Sequence, residues 1–219
     1  MGQRIKYPIF ARFYANLAGP ALEKVGVGEH RRRLLAGLSG EVIEVGAGNG
    51  LNFSHYPPGV KRVVAVEPEP RLRALAEQQA PTAPVPVEAH DGRAEQLPFP
   101  DASFDAAVVC LTLCSVADPQ AAIAELHRVL RPGGQLRFFE HVQADSPAMR
   151  RVQRVLDATV WPRLMGGCHT GRDTQKAITA AGFTLTAVDR FPFPDTRVAS
   201  PAATHILGTA VRPDLGGTR

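Results

Sequence analysis

A carboxylate, Glu44, stands beside a loop in which Gly46, Gly48 and Gly50 alternate with small residues, within the stretch EVIEVGAGNGLNF. Glycine takes positive φ readily and lets another group come close to the backbone. Such a loop after a strand suits a nucleotide, although a tight turn with no ligand is the plainer alternative. Two nucleotide classes are excluded by spacing. A dinucleotide fingerprint needs a glycine at 51, where Leu51 stands, and no Gly-Lys-Ser/Thr phosphate loop follows. Glu44 would repel a pyrophosphate docked here and would favour a ligand that carries an ammonium group. Glu67 follows 21 residues after Gly46, where a carboxylate receives ribose hydroxyls. A free ribose, a cationic end and no phosphate fit S-adenosylmethionine, which leaves as S-adenosylhomocysteine.

Methyl transfer from a sulfonium needs alignment more than proton chemistry, and orientation alone can supply about 7–11 kcal/mol. A thiol acceptor attacks as its thiolate and needs only a modest base. A phenol or carbon acceptor asks for more deliberate proton removal, worth about 10²–10⁴ in rate. Two histidines are candidate bases. His141 follows Glu140 at the end of a strand, where adjacent residues point to opposite faces, and His141 is the one expected to face the ligand. A polar strand end at the surface is the alternative. His169 lies in the loop GGCHTGR, either as a catalytic group or as an ordinary loop residue. Arg172 nearby could hold an acidic substrate or cap a turn. Cys110 reads as core, while Cys114 and Cys168 either line an acceptor pocket or are small buried cysteines. No metal is expected, because no His, Cys or acidic cluster has ligand spacing along the chain.

The elements that would bring these residues together alternate between strand and helix. Strands are expected near 41–45, 61–67, 85–89, 104–113 and 135–142, then at 183–191 and 204–212. Helices are expected near 71–79, after Asp118 and Pro119, over 146–164 and over 173–181. The early strands are continuously apolar, as in a parallel sheet covered on both faces. A doubly wound α/β fold follows, with ligands beyond the carboxyl ends of the strands. The glycine loop, Glu67, residues 111–114 and the Glu140-His141 pair all fall at such ends. Phe10, Phe13 and Tyr14 suit an N-terminal helix that closes over the cofactor or simply packs on the sheet. The helix near 150–164, with Trp161 and Met165, would form the other wall of an apolar acceptor pocket.

The 219 residues, 44% of them hydrophobic, suit one domain: a helical lid over 1–38, an α/β core over 39–212 and a loose tail over 213–219. Net charge is +4, and apart from Arg31, Arg32 and Arg33 the basic residues are dispersed. That triplet reads as a solvated helix face, and no basic, aromatic-rich stripe suggests a nucleic-acid partner. No apolar run has the length of a membrane span, and three cysteines without zinc-like pairing suit reduced thiols in the cytoplasm. Oligomeric state stays open.

The ordered motifs EVGAGNG, VVAVEP, LPFPDASFDAAVV and LRPGGQL, over roughly 41–140, resemble the class I S-adenosylmethionine-dependent methyltransferases. NGLNFSHYPPG, VVCLTLCSV, FFEHV and GGCHTGRDT extend the likeness to the methyltransferase-like 7 group, the alkyl thiol methyltransferases, and their bacterial relatives. The menaquinone and ubiquinone C-methyltransferases share the first half of the pattern. The resemblance implies a mostly parallel seven-stranded Rossmann-like sheet with the last strand antiparallel. It implies methyl transfer to a small molecule, first a thiol, with O- or C-methylation of a quinone, phenol or secondary metabolite as the alternative. A non-catalytic cofactor-binding protein is the reading from another class. It implies that Gly46 to Gly50 pack beside the methionine moiety, that Glu67 binds the ribose and that residues 92–95 flank the adenine. The expected cofactor-binding residues are Tyr14, Glu44, Gly46, Ala47, Gly48, Gly50, Asn52, Glu67, Pro68, Gly92, Arg93, Ala94 and Leu111. Arg93 departs from the pattern, since many relatives have an acid there and an arginine accepts no hydrogen bond. Backbone near Ala94 would then read the adenine. Animal members carry an N-terminal membrane anchor, for which this sequence shows no apolar run.

Overall fold

The computed structural model describes residues 8–194 and 200–214. Residues 1–7 of the expected helical lid and 215–219 of the expected tail lie outside them. Seven strands form one sheet in the order β3-β2-β1-β4-β5-β7-β6. They are β1 (Gly40–Val45), β2 (Val60–Val66), β3 (Val87–His90), β4 (Phe104–Cys110), β5 (Leu130–His141), β6 (Thr184–Pro192) and β7 (Thr204–Val211). Strands β1 to β5 run parallel, and β7 pairs antiparallel with both β5 and β6. Chain order reverses direction at β1 and β4, so a crevice opens beyond the carboxyl ends of those two strands.

Apolar continuity explains the central position of β1, β2 and β4. Val42, Ile43, Val63, Val64, Ala107 and Val108 are all buried, since helices cover both faces. One face packs Ile43, Val64, Leu126, Leu136 and Phe138; the other packs Leu34, Val42, Val63, Ala106 and Phe139. Helices α1 (Pro8–Phe13), α2 (Gly19–Lys24) and α3 (Val27–Leu35) precede the sheet. Helices α4 (Pro70–Gln79) and α5 (Pro119–Val129) begin with a proline after an acidic cap. Asp118 accepts from the amides of Gln120 and Ala121, as the Asp-Pro pair led one to expect. The expected 146–164 helix is two pieces, α6 (Pro147–Ala158) and α7 (Trp161–Leu164), and α8 (Thr174–Ala180) follows. The break falls at Thr159, outside helical φ/ψ, just before the Trp161-Pro162 pair.

One surface expectation is corrected. Arg32 and Arg33 are exposed, but Arg31 is 3% exposed. Its guanidinium reaches Glu23 Oε1 at 2.9 Å, Asn52 Oδ1 at 2.7 Å and Cys110 Sγ at 3.3 Å. Leu34 and Leu35 on the same helix turn inward, and Arg31 one turn before Leu35 follows them.

Candidate active site

A cleft of about 730 Å³ lies over the carboxyl ends of β1, β2 and β4. Its floor is made by turns, each shaped by a local requirement. At the end of β1, Gly46 has φ +74°, and a Cβ there would sit 2.3 Å from Thr112 Cγ2. The glycine at 46, which also lines the cleft, is thus needed for close approach of the β4 loop. Gly48, at φ +58°, lines the cleft, and a Cβ there would meet Tyr14 Cε1 at 3.7 Å, an ordinary contact. At the end of β4, Leu111 holds φ +56°. A bulky residue in that region is strained, and such strain gathers at functional sites.

Glu67 ends β2, lines the cleft and is oriented by two amides. Gly48 N–H donates to Oε2 and Glu69 N–H to Oε1, both at 2.9 Å. Those bonds fix the carboxylate and leave lone pairs for two more donors, as a ribose diol would supply. Burial pushes its pKa up to about 7, against the two amide bonds that favour the charge. Pro68, Gly92, Arg93, Ala94 and Leu111 line the same cleft. Arg93 is drawn to Glu95, whose carboxylate also accepts from the Ala117 amide at 2.9 Å. Glu95, two residues past Arg93 and within the 92–95 stretch expected at the adenine, carries an acid into the cleft wall. Tyr14 lines the opposite side, stacked at 5.9 Å on Phe10.

Glu44 is placed differently from the ligand-facing role expected for it. It is 2% exposed and does not line the cleft. Its two oxygens accept from Asn52 Nδ2 at 2.8 Å and Tyr56 OH at 2.7 Å. Asn52 in turn receives Arg31, so a buried chain runs Glu23–Arg31–Asn52–Glu44–Tyr56. The cation that answers Glu44 is therefore Arg31, relayed through Asn52, and the carboxylate braces the N-terminal helices against β1. Desolvation pushes its pKa up to about 7 although Tyr56 and Asn52 bond to it. Ala47, Gly50 and Asn52 also stand behind the cleft wall and do not line it. Gly50 is close-packed against Phe53, whose ring a Cβ would meet at 2.8 Å.

The acceptor side is built by the 110–116 loop and the segment around α7. His169 lines the cleft; its Nδ1 lies 2.8 Å from Gly167 O and 3.1 Å from Arg172 Nη2. His141, favoured as the pocket-facing base, is 7% exposed and does not line the cleft. Its Nε2 sits 3.1 Å from Cys168 Sγ. Glu140 points to the other face, wholly buried, and accepts from the amides of Thr112, Leu113 and Cys114. It is a latch on the β4 loop. Cys110, read as core, lines the cleft, and burial lifts its thiol to about 11.

The comparisons agree with this geometry. Residues 43–138 match the family described as "Methyltransferase domain". Thiol S-methyltransferase TMT1B of Rattus norvegicus is 38% identical over 186 residues, covering 81% of this chain and 74% of its own. Demethylmenaquinone methyltransferase of Thermus thermophilus is 31% identical over 177 residues, covering 80% and 76%. A crystal structure from Bacillus halodurans, provisionally described as a methyltransferase, superposes with a TM-score of 0.69 at 20% identity, over 85% of this chain and 99% of its own. With the seven-stranded sheet, its antiparallel β7 and Glu67 held at the end of β2, these likenesses establish that the chain belongs to the S-adenosylmethionine-dependent methyltransferases.

Proposed function

We propose that the enzyme S-methylates a small, apolar thiol. The observation that carries this reading is the 38% identity to a thiol S-methyltransferase, spread over most of the chain and extending through the acceptor-side segments. The residues present fit the cofactor: a cleft with an amide-held carboxylate and a glycine turn that lines it at Gly46 and Gly48. Glu67 would hold the ribose diol, Gly46 and Gly48 the methionine end, and Gly92 to Glu95 the adenine. The bound cofactor supplies a methyl group already activated on a sulfonium. Leu111, Val116 and Pro162 give the acceptor an apolar wall that sheds water. His169 Nδ1 lies between the Gly167 carbonyl and the Arg172 guanidinium; in the tautomer that donates Nδ1–H to Gly167 O, Nε2 is the atom that can take the thiol proton. A thiolate formed there would lie against the Leu111 and Val116 wall, where it could take the methyl group the cofactor would supply. Helix α1 and the turn after it, through Phe10 and Tyr14, would cover the cleft as a lid within a single methyltransferase domain. The free cysteines support a reducing, cytoplasmic setting. Among the described residues no helix is long and apolar enough to cross a membrane.

A second reading, methylation of a quinone or phenol, is favoured by the Thermus thermophilus relative. Methyl transfer to a panel of alkyl thiols, phenols and quinols separates the two. Turnover on alkyl thiols is expected, with His169→Gln slowing it by about 10²-fold or more at neutral pH. Turnover confined to phenols or quinols would remove the thiol assignment.

A further inference from the structure

Behind the acceptor wall, three elements bring together a donor set that their sequence positions hide. Cys114 follows β4, His141 closes β5 and Cys168 lies between α7 and α8. All three are buried, and their ligating atoms lie within 4.8 Å of one another. We propose that Cys114, His141 and Cys168 bind one thiophilic divalent cation of the zinc class.

The dimensions fit. Bonds of about 2.3 Å to sulfur and 2.0–2.1 Å to nitrogen place tetrahedral donors roughly 3.5–3.8 Å apart. His141 Nε2 and Cys168 Sγ are already 3.1 Å apart, so donors must shift by no more than about 1 Å to close on an ion. Two thiolates and one imidazole neutralise a dication, which suits a site whose ligands are 2–9% exposed. The imidazole Nδ1 has no hydrogen-bond partner among the described residues, so the ring's one hydrogen bond there is on the sulfur side, with His205 packed edge-on against it. Trp161 Nε1 lies 3.4 Å from Cys168 Sγ and Ser115 Oγ 3.4 Å from Cys114 Sγ, donors suited to bonding thiolate sulfur. Three protein ligands leave a fourth position, as in sites that hold water or a substrate there. The neighbours in sequence, Ser115 and His169, both line the cleft. His169 N–H also bonds Cys114 O at 2.8 Å. An ion here would pin the β4 loop, β5 and the α7–α8 loop as one unit, and so set the shape of the acceptor wall.

Cobalt(II) titration of the reduced, chelator-treated full-length protein tests this directly. One equivalent should bind, with thiolate-to-cobalt charge-transfer absorption in the near ultraviolet and tetrahedral ligand-field bands in the visible. Zinc should displace it. Cys114→Ser and Cys168→Ser should each lose the charge-transfer bands, and His141→Gln should lose stoichiometric uptake. Cys110→Ser, outside the cluster, should keep both. Circular dichroism and cofactor binding identify any variant that fails to fold, and the wild-type titration stands without variants. Folded, reduced wild-type protein that takes up neither cobalt nor zinc at micromolar concentration overturns the proposal. So does rapid formation of a Cys114–Cys168 disulfide in protein that binds no ion.

Discussion

The carboxylate of Glu67 carries most of the cofactor argument, and its surroundings say what removing it does. Two amides hold it in place, and neither is a ribose hydroxyl. Glu67→Ala should cost about 1.5–3 kcal/mol of S-adenosylmethionine affinity, the range for hydrogen bonds to a charged group. Titration calorimetry on the folded variant checks this, and an unchanged dissociation constant would remove Glu67 from the ribose. The position of Glu67 beyond the end of β2 was legible because strand, turn and spacing together place a side chain there. Glu44 was not legible in the same way. Alternation along a strand leaves open which face carries a given carboxylate, and the partners that settle it, Asn52 and Tyr56, lie in a loop whose path no periodicity fixes. Arg31 failed for a related reason, since three consecutive arginines on a helix must point in different directions. The cysteine–histidine cluster needed the whole topology, its members lying on three different elements.

At the scale of elements, the site depends on contacts between segments that each look ordinary. Glu140 illustrates this: one side chain at the end of β5 receives three consecutive amides from the loop after β4. Replacing it by glutamine removes the charge and turns one acceptor into a donor facing amides. Glu140→Gln should therefore lower unfolding free energy by about 2–3 kcal/mol, measured by urea denaturation, and should loosen the strained turn at Leu111. A loss within about 0.5 kcal/mol would mean the loop holds itself. A second coupling joins helix α1 to the turn after α7. Gly166 sits at φ +58°, and a Cβ there would lie 2.5 Å from Phe10 Cδ1. Gly166→Ala should cost about 2–4 kcal/mol, part from backbone strain and part from overpacking. In a Phe10→Ala background only the strain remains, about 1–2 kcal/mol. Equal costs in both backgrounds would show that α1 does not rest on this turn. The alternation of strands and helices was readable in advance because hydrophobic period reports it. The break between α6 and α7 was not marked by composition, beyond the proline at 162.

Across the molecule, the raised pKa of Glu67 would make cofactor binding a proton-linked event if that carboxylate takes the ribose. Desolvation pushes both Glu44 and Glu67 up to about 7 from an ordinary 4.5, and burial raises Glu140 as well. For a carboxyl raised in the folded state, the stabilising contribution is complete below pH 4.5 and is lost as pH rises through 7. Burial lowers His30, His55, His127 and His205, whose contribution changes in the opposite sense over an overlapping window. Stability of the free enzyme therefore blends opposing trends, whereas binding isolates one. A cationic ligand whose ribose donates to Glu67 requires the carboxylate, so below pH 7 binding must expel its proton. Affinity should rise by up to about tenfold per pH unit between pH 5 and 7, then level off. Ligand at about 100 times its dissociation constant adds about 2.7 kcal/mol. For a chain of this size that raises Tm by roughly 5–11 °C. At a fixed total cofactor concentration the rise should consequently grow from pH 6 to pH 8. Calorimetry in buffers of different ionisation enthalpy should detect proton release at pH 6 and little at pH 8. In Glu67→Gln, which carries no proton to expel, the release at pH 6 should fall and the affinity profile flatten. A wild-type affinity that does not change between pH 5.5 and 7.5 would show that the ribose carboxylate is already ionised before the cofactor arrives.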